Sequence, residues 1–220
     1  MSAALFRQMT RLAVVLTMLA VGIAPALAQQ EQFSSPFELP KNDAANTEAL
    51  ANKLAALSPR VDPNEAKALA ECAYATVTRL RREYRMFGTP IFNNFLVYHG
   101  LRKRGYCYHW MADLLVALDA LKIKTLELHW GETYAGTWRE NNCLVVTAKG
   151  QSFDRGIMLE SWSHLGHLRW RAVFSDEDRY VENKKYAQRV LDRSANANTP
   201  RSNHHVAFQK SSVAKTKAVD

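Results

Sequence analysis

The stretch from Gly105 to Leu121 constrains this chain more than any other, because it joins a basic, glycine-bounded loop to the best helical pattern in the sequence. Apolar residues fall at Cys107, Trp110, Met111, Leu114, Leu115, Leu118 and Leu121, the spacing of one helical face. The pattern starts at the cysteine, so Cys107 opens the helix. A thiol in that position meets unpaired backbone N–H groups and the positive end of the helix dipole, both of which favour thiolate over thiol. Cys107 is therefore the first candidate for chemistry.

What flanks this helix sets the fold class. Upstream, Asn42 and Asp43 can cap a helix running to about Leu57, and a second follows Pro63 with Ala66, Leu69, Ala70, Ala73, Tyr74, Val77 and Leu80 on one face. Its basic end, Arg79 to Arg85, reads as a solvated face. Thr89-Pro90 opens a third helix, predicted to turn Phe92, Phe95, Leu96 and Leu101 inward. Downstream the period changes to two. Leu126, Leu128 and Trp130 alternate with Glu127 and His129, and a polar turn over 131–140 leads to the buried strand Cys143-Leu144-Val145-Val146. Ile157 begins a third strand, and Leu168, Trp170, Ala172 and Phe174 alternate along a fourth. Asp176 to Arg193 reads as a polar closing helix. The predicted fold is α+β: a helical N-terminal half, then a Cys-headed helix packed on a small antiparallel sheet, with residues 124–130 pairing with 142–148.

The two ends read differently from this core. Arg7 and Arg11 precede an apolar run from Leu12 to Ala24, Pro25 breaks it, and Ala26-Leu27-Ala28 offers small residues for cleavage before Gln29. Residues 1–28 are thus expected to be a signal peptide, 29–42 a linker, 43–193 a single domain and 194–220 a disordered basic tail. The apolar run falls short of the roughly 20 residues a spanning helix needs, so no membrane span is expected after cleavage and the expected location is periplasmic or secreted. Cleavage would remove two arginines and no acid from a formal charge of +8. The basic residues are spread out with no interleaved aromatic platform, which argues against nucleic acid and leaves anionic surfaces or solubility. Cys72, Cys107 and Cys143 all fall in the expected mature part, and an odd number leaves one free or paired between chains. A Cys72–Cys107 disulfide is the rival to a reactive Cys107.

Gly105-Tyr106-Cys107-Tyr108-His109-Trp110, followed by strands, resembles the core of the transglutaminase-like and papain-like cysteine hydrolases over roughly Gly105 to Trp170. The resemblance implies a nucleophilic cysteine opening a helix, a histidine base opening a following strand, and an acid or amide on the next strand orienting it. Cys107 takes the first position and Glu160, in Leu159-Glu160-Ser161-Trp162, the third. The second departs from the pattern: the strand opens with Asn141-Asn142, and an amide cannot take a proton at neutral pH. His129 is the substitute, since a hairpin through 131–140 would bring it beside Asn141 or Asn142. Alternation argues the other way, because His129 then points away from the face that Leu126, Leu128 and Trp130 share. His109, two residues past Cys107, leans towards Asp113.

No cofactor is expected, since no glycine-rich phosphate cradle follows a strand, and no metal, since His164, His167, His204 and His205 lack zinc spacing. Two functions of different class stand. One is a cysteine hydrolase or acyl transferase acting on amide or thioester bonds through Cys107, His129 and Glu160. The other is a non-catalytic envelope module that keeps the fold in a binding or structural role, with a peptide or envelope component as the expected partner.

Overall fold

The structure is a computed structural model and describes residues 43–198. The signal peptide and linker expected over 1–42 lie outside the described residues. The elements run α1 (Ala44–Ala55), α2 (Pro63–Glu83), α3 (Pro90–Tyr98), α4 (Cys107–Asp119), β1 (Leu126–Thr133), β2 (Asn141–Ala148), β3 (Ile157–Glu160), β4 (Arg169–Ala172), β5 (Val181–Glu182) and α5 (Lys184–Asn198). Helices and one antiparallel sheet of order β4-β3-β2-β1-β5 make an α+β fold.

Helices α2 and α3 each begin at a side-chain cap followed by a proline. The Asp62 carboxylate accepts from Asn64 N at 2.8 Å with Pro63 in the first turn of α2. Thr89 does the same for α3 through Phe92 N at 3.1 Å, again ahead of a proline. The whole predicted stripe of α2, from Ala66 to Leu80, is buried, and α2 packs against α1 on one side and α4 on the other. Glu65, in the first turn of α2, accepts from Lys124 N at 2.9 Å and Thr125 N at 2.8 Å, tying the entry to β1 back onto the helix. Burial works against that charge, yet these bonds and the Thr125 hydroxyl outweigh it and hold the carboxyl below its ordinary value.

Strand β2 is buried along its whole length, the pattern of a strand covered on both faces. Register then divides the side chains. Leu128, Trp130, Leu144, Val146, Ile157 and Leu159 share the face turned to α4. Cys143, Val145 and Met158 share the other, where Val173, Tyr180 and the partly buried Phe153 close a second small core. Gly156 permits this packing. A Cβ there would stand 2.4 Å from Val145 Cγ1 and 2.9 Å from Val146 O, so the chain passes β2 closer than any side chain allows.

Several expectations are corrected. Phe92, Phe95 and Leu101 do not turn inward but are exposed, and the residue that α3 buries is Asn93. The polar turn is shorter than 131–140, because β1 runs on to Thr133, which pairs with Asn141. The closing helix starts at Lys184 rather than Asp176, because Val181 and Glu182 first join β1 as an edge strand. It also continues to Asn198, past the point where the basic tail was expected to begin. Phe174 lies in a short 3-10 turn and is exposed instead of completing β4.

Candidate functional site around Cys107

Cys107 is the first residue of α4, as the apolar spacing predicts. The turn that delivers it depends on Gly105, whose φ of +146° lies outside the range open to side chains and whose Cβ position faces Val97 Cγ2 at 3.2 Å. His109 fastens the same turn: its Nδ1 accepts from Gly105 N at 3.2 Å and from Tyr106 N at 3.3 Å. Burial and the neighbouring Arg104 push its pKa down to about 4, against the opposing charge of Asp113, so the ring is a neutral acceptor. His109 does not pair with Asp113 as expected. That carboxylate is taken by Tyr84 OH and by Arg104 Nη2, the latter at 2.6 Å.

The sulfur sits in a closed polar cage. Asn142 Nδ2 donates to Cys107 Sγ at 3.2 Å and to Glu140 Oε1 at 3.1 Å, while Asn142 Oδ1 accepts from Trp130 Nε1 at 2.9 Å. Because an indole nitrogen only donates, the indole fixes which way the amide points. The thiol's own outlet is the backbone carbonyl of Glu140, 3.5 Å away. Only 6 % of Cys107 is exposed. Burial raises its pKa to about 11, above the ordinary 9.0; the Asn142 amide and Tyr108 N–H pull it down, and the charges of Glu140 and Glu160 push it up. Desolvation wins over the helix N-terminus, and Cys107 is a thiol at neutral pH.

The three residues expected to form a triad do not meet. His129 pairs with Val145, three residues along β2 from Asn142, and its ring lies on the opposite face of the sheet. There Nδ1 contacts Glu182 Oε1 at 2.7 Å and Nε2 contacts Thr147 Oγ1 at 2.9 Å. Glu160 follows Met158 by two residues and so shares that second face, opposite Arg169. It is fully buried and accepts from Ser163 N at 2.8 Å and from the Ser163 hydroxyl. Burial raises its pKa, against these bonds and the nearby Arg169. Its charge reaches Cys107, but its hydrogen bonds go elsewhere.

The disulfide alternative is excluded by the same geometry. All three cysteines are free and buried. Cys72 Sγ lies 3.7 Å from Ala117 O, ten residues and thus about 15 Å along α4 from Cys107. Cys143 belongs to the second core, against Gly131, where burial raises its pKa well above the ordinary value.

Glu140, Trp130 and Tyr186 complete the cage and were not singled out from sequence. Trp130 pairs with Leu144, so Asn142 is its diagonal neighbour on one face, a relation that follows once the hairpin register is known. Glu140 is held in the hairpin loop, where its Oε2 accepts from Gly136 N at 2.8 Å. Tyr186 of α5 lies 4.5 Å from the Trp130 ring, and burial raises its pKa. Among the described residues, no group of three or more His, Cys, Asp or Glu could hold a metal ion, and no helix is long and apolar enough to cross a membrane.

Fold and site together define a cysteine-headed helix on an antiparallel sheet, with an asparagine as the partner of the sulfur. The chain matches no family model, no curated protein and no solved structure.

Proposed function

We propose that the chain is a non-catalytic module on a transglutaminase-like core, exported through residues 1–28, in which Cys107 locks the sheet to its central helix and an exposed surface does the binding. The observation that carries this reading is the Asn142 amide at 3.2 Å from Cys107 Sγ, where a hydrolase needs an imidazole. To attack a carbonyl the thiol must first lose its proton. Its own acceptor is a backbone carbonyl at 3.5 Å, which is not a base. The carboxylate of Glu140 is occupied by Asn142 Nδ2 and Gly136 N.

One observation favours the second reading, a cysteine hydrolase or acyl transferase acting on amide or thioester bonds. Asn142 Nδ2 and Tyr108 N–H both act to stabilise a thiolate. Alkylation of the folded protein separates the two. In the non-catalytic reading, iodoacetamide leaves Cys107 untouched at pH 8 while denatured protein is labelled at all three cysteines, and native labelling begins only as the pH approaches 11. Rapid native labelling of Cys107 below about pH 8.5, together with thioester cleavage lost in Cys107→Ala, would establish the hydrolase instead.

A further inference from the structure

Among the described residues, the exposed large apolar side chains concentrate on α3 and its flanks. Phe87 is 71 % exposed, Ile91 64 %, Phe95 51 %, Tyr98 79 % and Leu101 69 %. These residues span the helix and both of its ends. The rings touch one another: Phe87 lies edge-on to Phe92, Phe92 stacks on Phe95 at 6.4 Å with planes 13° apart, and Phe95 contacts His99 at 4.2 Å. The patch is thus continuous. It is also held in place, because Asn93, fully buried beneath it, donates through Nδ2 to Phe87 O and Thr89 O at 2.7 Å each and accepts from Phe87 N and Arg102. The polar residue pins the helix from below, and the apolar face is left to solvent.

Charge indicates what covers it. Contrary to the even spread expected of the basic residues, residues 79 to 104 contain seven basic side chains and one acidic one, Glu83, which is held by Arg79 at 2.8 Å. Arg82, Arg85 and Lys103 are exposed and flank the aromatic residues in the chain. Apolar side chains on a short helix that is preceded and followed in the chain by exposed cations match a negatively charged interface: rings enter the acyl boundary while arginine and lysine meet headgroups. A second copy fits poorly, since a two-fold contact through α3 would bring two copies of the same basic segment together. A partner helix would need a groove, whereas side chains this exposed stand proud of the surface.

We propose that α3, with Phe87 and Leu101, docks the protein onto an anionic lipid surface. This goes beyond the reading of Cys107 and does not rest on it, because a hydrolase and a binding module could both use such a face. Vesicle co-sedimentation of residues 29–220, the chain left after the proposed cleavage, tests it, with vesicles of phosphatidylglycerol and phosphatidylcholine compared with phosphatidylcholine alone. The protein should sediment with the anionic vesicles, less so as salt rises, and remain in solution with the neutral ones. Phe95→Ser combined with Tyr98→Ser should weaken partitioning by about tenfold or more with the thermal midpoint unchanged, because both side chains are already exposed. Trp138→Ser, at an 84 % exposed tryptophan in the hairpin loop, should leave binding as it is. Arg82→Glu with Lys103→Glu should reduce binding to anionic vesicles while leaving the fold intact. The proposal is overturned if anionic vesicles sediment none of the protein, or if the serine pair leaves sedimentation unchanged. It is equally overturned if that pair abolishes a concentration-dependent dimer rather than lipid binding.

Discussion

His109 and Cys107 lie two residues apart at the head of one helix, and burial moves their proton affinities in opposite directions, each towards the neutral form. The histidine has the more testable consequence. Its folded pKa, about 4, lies below the ordinary 6.5, so on acidification the unfolded chain takes up the proton first. The stabilising contribution is present in full above about pH 6.5 and is lost as pH falls towards 4. Glu65, with its lowered pKa, loses its contribution in the same direction at lower pH, so acid sensitivity alone does not isolate His109. Comparison with His109→Gln does, because an amide can still accept from the Gly105 and Tyr106 N–H groups and does not titrate. Urea unfolding of the two proteins at pH 7 and pH 5 should show a smaller loss of stability in the variant.

At the scale of elements, the hairpin and the close passage at Gly156 decide which side chains share a face. Gly156 has a φ of −80°, which any residue can adopt, so its requirement is one of space and not of backbone conformation. Gly156→Ala must push Val145 or the β2 backbone aside, and overpacking of this kind costs about 1–3 kcal/mol. The loss should be visible as a lower urea midpoint with an unchanged slope. Helix α3 teaches the opposite lesson. Its aromatic content predicts an inward face, but the buried Asn93 amide donates to the Phe87 and Thr89 carbonyls and accepts from the Phe87 N–H, and satisfying it fixes the rotation of the helix.

At the scale of the whole molecule, α5 covers one flank of β1 and contacts α4, so the last described element shields the cage that the middle of the chain builds. Tyr186 is the contact that matters for the sulfur, since its ring packs on Trp130, and Trp130 orients Asn142. Tyr186→Ala should loosen that cover and raise the native alkylation rate of Cys107 roughly tenfold at pH 8, a local opening without global unfolding. The far-ultraviolet spectrum should stay unchanged, and the cysteines away from the cage, Cys72 and Cys143, should remain unlabelled.

Local periodicity determined much of this molecule. The start of α4 at Cys107, the buried stripe of α2, the proline starts of α2 and α3 and the β1–β2 pairing are all legible, because 3.6- and 2-residue periods and proline's fixed φ act over a few neighbouring residues. Alternation also raised the objection to His129 that the hairpin register upholds, since the ring stands on the far face from Cys107. Tertiary structure alone decided the rest. Where β1 ends, whether α3 turns its rings or its asparagine inward, and which face receives Glu160 depend on what packs against each element from distant parts of the chain. The state of Cys107 is the clearest case: its position at a helix start argues for a thiolate, a local effect. Its enclosure by Asn142, Glu140 and their neighbours, more than 30 residues away, makes it a thiol, because removing water from a charge outweighs the pull of a helix end.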